Sequence, residues 1–174
     1  YYEAIMSYKD LIKSAKSGGK NSLVKVEVII DKLTRKRNSF SGLDMSSLHL
    51  MGIINLTPDS FYEKSKKNNV LSALEAANKM NNEGASIVDI GGESSRPGAL
   101  KLSPDEEKNR VLSSIIAIKK EELKAKLSLD TRNLSTMEIG YKNGIDIIND
   151  ISGFIDNKNI NFISKASLPI IVMH

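Results

Sequence analysis

The 174 residues contain no cysteine, which rules out a disulfide framework and a thiolate metal site and is compatible with a reducing cytosol. No apolar run approaches the length of a membrane span, and the opening Tyr1-Tyr2-Glu3 has neither the charged head nor the apolar core of a signal peptide. A soluble, cytoplasmic protein without a membrane partner is expected. An excess of one charge sign is also lacking: 25 Lys and Arg stand against 21 Asp and Glu, spread along the chain except at Lys32 to Arg37. That pattern is too diffuse to indicate nucleic acid and suits an anionic small ligand. What is present is a globular composition, 40% hydrophobic and 26% charged, long enough for one domain with a real core. Both ends read as cut, since the chain starts on Tyr1 and stops at His174 directly after Pro169-Ile170-Ile171-Val172-Met173.

Residues 1–40 differ in texture from the rest and read as an N-terminal extension or linker. Tyr2 to Lys16 suits one amphipathic helix, with Ile5, Tyr8 or Lys9, and Ile12 on one side, ended by Gly18-Gly19. Leu23 to Ile30 alternates, with Val24, Val26, Val28 and Ile30 on one face, and is predicted to be a half-buried strand. Arg35-Lys36-Arg37 reads as a solvated surface run.

From Leu48 onward short apolar runs alternate with helical patterns. The runs are Leu48 to Ile54, Ser86 to Ile90, Ala125 to Leu129, Ile145 to Ile148 and Leu168 to Met173. Helices are predicted near Val70 to Glu83, Pro104 to Lys120, Leu134 to Asn143 and Asn157 to Lys165. Strands that alternate with helices mean a parallel sheet with crossovers. Leu71, Leu74, Ala77 and Met80 mark the inner face of the first of these helices, and Gly84 stops it. The helix at Pro104 has Ser103 as N-cap, proline at its first position and Glu106 as capping-box partner, with Leu112, Ile115, Ile116 and Lys119 at helical spacing.

Polar residues close every run: Asn55, Asp89 before the glycine pair, Asp130, Asn149-Asp150 and His174. In a parallel α/β sheet the carboxyl edge is where ligands bind, because loops and helix N-termini converge there. Taken singly, each is also an ordinary cap or turn former. The stretch Gly91-Gly92-Glu93-Ser94-Ser95-Arg96-Pro97-Gly98 concentrates backbone freedom, hydroxyls and a guanidinium just after a strand, more donors than a connector needs.

These residues carry a family resemblance. Met51-Gly52-Ile53-Ile54-Asn55-Leu56-Thr57-Pro58-Asp59-Ser60-Phe61 resembles the first signature of dihydropteroate synthases, and Gly91 to Gly98 resembles the second. Ser128-Leu129-Asp130-Thr131, Ile147-Ile148-Asn149-Asp150-Ile151 and Val172-Met173-His174 follow in the family's order. The resemblance implies a (β/α)8 TIM barrel of which about five βα units are present at 41–174, an incomplete barrel, since such a domain takes about 250 residues. It implies the condensation of 6-hydroxymethyl-7,8-dihydropterin pyrophosphate with p-aminobenzoate and release of pyrophosphate, a reaction of folate biosynthesis and a sulfonamide target.

By the same resemblance Asn55 helps hold Mg2+ and the pyrophosphate, a role in which a neutral carbonyl suits a hard cation that keeps several waters. Asp130 and Asn149 hydrogen-bond the pterin edge, and Asp130 also stabilises positive charge developing on the ring. Met173 packs near the pterin, and His174 takes a structural place. Thr57, Pro58, Asp59, Ser60 and Phe61, with Ser94, Ser95, Arg96 and Pro97, form the loops that close over p-aminobenzoate. Two departures stand out: Ser95 replaces the usual Thr, and Tyr62-Glu63-Lys64-Ser65 replaces a Ser-Asp-Gly-Gly continuation, removing glycines from a loop that moves in the family. Family members are homodimers, but the last helices that form that interface, and the acidic, lysine and Arg-x-His groups of the later strands, have no counterpart here. The isolated chain is expected to be a poor catalyst. Other readings are a truncated, non-catalytic pterin-binding remnant, one half of a split enzyme, and a corrinoid methyltransferase, which lacks the loop at 57–61.

Overall fold

The computed structural model describes residues 7–36, 39–56, 63–93 and 102–173, with the backbone alone for 63–69. The chain divides into two compact units, Tyr1–Asn38 and Ser39–His174.

The first unit holds two helices, α1 (Tyr8–Ser17) and α2 (Lys20–Thr34). Ser7 caps α1, its hydroxyl accepting from Asp10 N at 3.3 Å. Leu11, Ile12 and Ala15 turn away from solvent, and the chain reverses at Gly18-Gly19, where Gly19 takes a φ of 91°. The helix expected from Tyr2 is therefore described from Tyr8. The strand expected at Leu23 to Ile30 is not a strand. These residues lie within α2, where Leu23, Val26 and Ile30 are half-buried while Val24 and Val28 are exposed. Leu23, Val26 and Ile30 stand at i, i+3 and i+7, a helical stripe in the same stretch, and packing on a neighbouring helix selects that period over the strand period.

The second unit alternates β1 (Met51–Asn55), α3 (Glu63–Asn82), β2 (Ile87–Gly91), α4 (Pro104–Lys120), β3 (Lys126–Asp130), α5 (Leu134–Lys142), β4 (Ile147–Asp150), α6 (Asn157–Ala166) and β5 (Ile170–Val172). The strands form one parallel sheet whose spatial order is the chain order. All five predicted strands are present. Helix α3 begins well before Val70, because the polar run 64–69 extends the helix without adding an apolar stripe.

Alternate strand residues point to opposite faces. Ile54, Val88, Ile90, Leu127, Leu129 and Ile148 face the helices and meet Ala77 of α3, Val111, Ile115 and Ile118 of α4, and Met137 of α5. The expected helix faces hold in part: Leu74, Ala77 and Met80 of α3 and Ile115 of α4 pack on the core, while Leu71, Ile116 and Lys119 do not. In α3, Ala73 and Ala77 are buried and Leu71 is exposed; in α4 the buried stripe is Glu107, Val111, Ser114, Ile115 and Ile118, and Ile116 and Lys119 face water. The capping box of α4 forms as expected, with Ser103 Oγ accepting from Glu106 N at 3.3 Å and Ser103 N donating to Glu106 Oε2 at 3.1 Å.

At the amino edge His49 ties the entry of β1 to the neighbouring strand. Its Nε2 lies 2.8 Å from the Asp44 carbonyl, which only accepts, so Nε2 carries the proton and Nδ1 accepts from Ser86 Oγ at 2.9 Å.

Candidate active site

The inner face of the sheet turns away from the helices, and its chemistry gathers at the carboxyl edge. Cross-strand register places Asn55, Gly91, Asp130, Asn149 and Ile171 in one row over β1 to β5. Three residues expected at the site, Asn55, Asp130 and Asn149, thus share a row. Parallel strands lie about 4.8 Å apart, so the backbones of Asn55 and Asp130 stand roughly 10 Å apart with Gly91 between them. A Cβ on Gly91 would come within 3.4 Å of Asp130 Oδ2. Without a side chain, Gly91 adds no bulk to the row beside the Asp130 carboxyl.

One layer deeper, Asp89 stands in register with Ile53 and Ser128. It is buried and accepts from Asn149 Nδ2 at 3.0 Å. Asp89 Oδ1, Ser128 Oγ and Asn149 Oδ1 are buried without a hydrogen-bond partner among the described residues. Burial raises the Asp89 carboxyl above the usual range, opposed by the nearby Ser128 hydroxyl and the Asn149 amide. Asp130 is pushed up to about 7, first by burial and then by the negative charges of Asp89, Glu107, Asp150 and Glu93. A carboxyl in that state exchanges its proton near neutrality and gains most from a ligand that brings N–H donors or positive charge.

Asp150 has a different task although it also ends a strand. Its Oδ1 accepts from Ser152 N at 2.7 Å and Ser152 Oγ at 2.6 Å, and its Oδ2 from Phe154 N at 3.2 Å. It builds the turn into α6, the ordinary role open to any strand-end aspartate. Met173 follows β5, is half exposed, and donates its backbone N–H to Asp150 O at 3.4 Å.

Among the described residues no cluster of three or more His, Cys, Asp or Glu is arranged to hold a metal. Asn55 offers one neutral oxygen at an exposed position, which fits a Mg2+ that takes its other ligands from water and phosphate oxygens. Thr57, Pro58, Asp59, Ser60, Phe61, Ser94, Ser95, Arg96, Pro97 and His174 lie outside the described residues. Asp89 is among the strand-end polar residues visible in the sequence but has no individual role there, and Glu107 is not among the expected site residues. The signal for Glu107 was available, as a carboxylate in line with Val111 and Ile115 on a buried helical stripe.

A family model described as pterin binding enzyme matches residues 51–174. The chain is 39% identical over 134 residues to the dihydropteroate synthase of Escherichia coli strain K12, covering 77% of this chain and 47% of the relative. Its fold is similar to that of Xanthomonas albilineans dihydropteroate synthase with 4-aminobenzoic acid, at 31% identity and a TM-score of 0.71, covering 81% of this chain and 52% of that one. It is similar also to the Anaplasma phagocytophilum dihydropteroate synthase with bound 6-hydroxymethylpterin-monophosphate, at 33% identity and a TM-score of 0.68, covering 72% and 48%. The chain spans about half the length of these relatives. With the family model running from the first strand through the last, over a parallel sheet built as a partial (β/α)8 barrel, this chain belongs to the pterin binding enzyme family.

Proposed function

We propose that this chain carries the pterin half of a dihydropteroate synthase site, which joins 6-hydroxymethyl-7,8-dihydropterin pyrophosphate to p-aminobenzoate. The observation that supports it best is the row Asn55, Gly91, Asp130, Asn149 at the carboxyl edge, with an acceptor-rich floor beneath it. The aminopyrimidine edge of a pterin is flat and donor-rich, which suits Asp130 and the Asn149 amide oxygen. In the reaction the bond from the pterin methylene carbon to the pyrophosphate oxygen breaks. The arylamine nitrogen then bonds to that carbon and loses a proton.

Asp130 pairs with ring N–H groups, and its carboxylate offsets positive charge that spreads into the ring as the leaving group departs. Asn149, held by Asp89, fixes the ring in the plane of the row. Gly91 leaves room for the ring. Asn55 would hold Mg2+, which when bound neutralises pyrophosphate charge. The loops 57–61 and 94–97 receive p-aminobenzoate, where sulfonamides compete, and Met173 lines the pterin pocket. A cytoplasmic enzyme without a nucleic-acid or membrane partner completes the reading; the family's homodimer uses later helices that have no counterpart in these residues. Among the described residues no helix is long and apolar enough to cross a membrane. Residues 1–40 form an extension separate from the barrel portion at 41–174.

A second reading, pterin binding without turnover as a remnant or one half of a split enzyme, draws support from the exposed Met51 and Ile53 on the inner face. Calorimetry with the dihydropterin pyrophosphate, Mg2+ and then p-aminobenzoate separates the two. Binding followed by pyrophosphate release supports the synthase; binding without release supports the second reading; no binding of the pterin by a folded chain overturns both.

A further inference from the structure

Outside the row lies a buried group that the reaction does not use. Glu107 sits one turn into α4, 1% exposed, on the stripe shared with Val111 and Ile115. A carboxylate buried there is costly unless its oxygens are bonded. Its Oε2 accepts from Thr131 Oγ1 at 2.9 Å, Asn133 Nδ2 at 2.8 Å and Thr136 Oγ1 at 2.6 Å. All three donors follow Asp130 directly, in the segment that enters α5.

That segment lacks a cap of its own. Asn133 stands at the N-cap of α5 without a side-chain cap bond, and the first turn of α5 has no acidic residue. Glu107 supplies from another helix the anion that this helix start favours. The same segment is fastened to β2. Arg132 Nη2 donates to Glu93 Oε1 at 2.7 Å, and Asn159 Nδ2 donates to Arg132 O at 2.8 Å. Gly92, next to Glu93, lies so close to α4 that a Cβ there would be 3.0 Å from Glu107 Cγ. The chain segments leaving β2 and β3 are both seated on this one side chain.

We propose that Glu107 is a positioning residue that holds the turn after β3, and with it Asp130, in fixed relation to the stem leaving β2. The inference rests on the pterin reading only for what Asp130 contacts. Asp130 is faced by Asp89 from β2, Glu93 beyond it, Glu107 from α4 and Asp150 from β4, so the charge of Glu107 also acts on its ionisation.

The test uses Glu107→Gln and Thr136→Val in the full chain. Asp130 is titrated by carboxyl carbon NMR, and affinity for the dihydropterin pyrophosphate is measured by calorimetry. Glu107→Gln keeps shape and an accepting oxygen but loses charge. The Asp130 midpoint should fall by about one pH unit and affinity by about tenfold or more. Thr136→Val removes one of the three bonds and no charge; it should weaken affinity severalfold and leave the midpoint in place. A folded Glu107→Gln chain with both quantities unchanged overturns the proposal. Should that variant not fold, Thr136→Val decides: wild-type affinity in it overturns the positioning role. If the midpoint moves with Glu107→Gln but the wild-type chain binds no pterin, the pterin reading fails and the hold of Glu107 on Asp130 stands.

Discussion

Asn149 on β4 donates from Nδ2 to Oδ2 of Asp89 on β2 at 3.0 Å, reaching past the intervening β3. The bond leaves Asn149 with its carbonyl oxygen unengaged, so the amide is presented as an acceptor with a defined orientation.

Replacing Asp89 by Ala removes that acceptor and strands a buried N–H, at a cost of about 1–3 kcal/mol set against the relief of a buried charge. Pterin affinity should fall about tenfold, because Asn149 loses its orientation. Asp89→Asn retains an acceptor and removes a charge, so it should keep the fold and bring the Asp130 midpoint below that of the parent. Calorimetry and carboxyl NMR on the two variants check this; equal affinity in Asp89→Ala and the parent would remove Asp89 from the site.

The ionisation of Asp130 has a consequence for stability. Its native value, about 7, lies above that of an unfolded aspartate, so the native state holds the proton to higher pH. Stability from this group is full below the ordinary aspartate range and is lost as pH rises to about 7; Asp89, also raised, acts in the same direction. Asp130→Asn should therefore be the more stable chain at pH 8, by about 1–2 kcal/mol once water screening of this half-buried group is allowed for, and should match the parent at pH 4. Urea melts at the two pH values decide the matter.

The two glycines that end β2 should respond differently to alanine. At Gly92 an added Cβ would sit 3.0 Å from Val111 Cγ1 and 3.2 Å from the Glu107 carbonyl, so β2 must move off α4, at a cost of about 1–3 kcal/mol. At Gly91 the new contact is an ordinary 3.4 Å to Asp130. Gly91→Ala should fold with nearly parental stability and lose pterin affinity, since the methyl adds bulk to the row beside Asp130. Denaturation and binding measured side by side would expose the error if the two variants behaved alike.

Ser103→Ala breaks the α4 capping box and should cost about 1 kcal/mol. Because Ser103 and Glu106 bond each other, adding Glu106→Ala should cost less than the sum of the single losses. A double-mutant cycle by urea denaturation measures the coupling, and strict additivity would mean that the box contributes nothing jointly.

The alternation of strands and helices was legible because each strand of this sheet is a short apolar run closed by a polar residue, and each helix carries apolar spacing. Ser103-Pro104 marked the start of α4 to the residue, since capping is local chemistry. The failure at Leu23 to Ile30 has the opposite origin: the stretch holds both a two-residue alternation, Val24, Val26 and Val28, and a helical stripe, Leu23, Val26 and Ile30, and only the presence of α1 chooses between them. At the site, Asn55, Asp130 and Asn149 were visible as strand-end polar residues, yet so was Asp150, which turned out to build a turn. Which strand-end group faces inward depends on register, and register is a property of pairs of strands. The role of Glu107 was not legible, and Asp89 was visible only as a strand-end residue without a role, because their meaning lies in partners far along the chain, Thr131 and Thr136 for one and Asn149 for the other.

The spatial order of the five strands repeats their order along the chain. Each strand pairs with the strand before it in the chain, with one helix between, so every pairing closes a loop that holds a whole helix, as between Met51 and Ile87. A sheet of this kind extends at a single edge, each strand laid beside its predecessor in the chain. The site inherits that order: Asn55, Asp130 and Asn149 stand along the row in the sequence in which the chain supplies them, so a polar group on each successive strand adds one more contact to the same ligand edge.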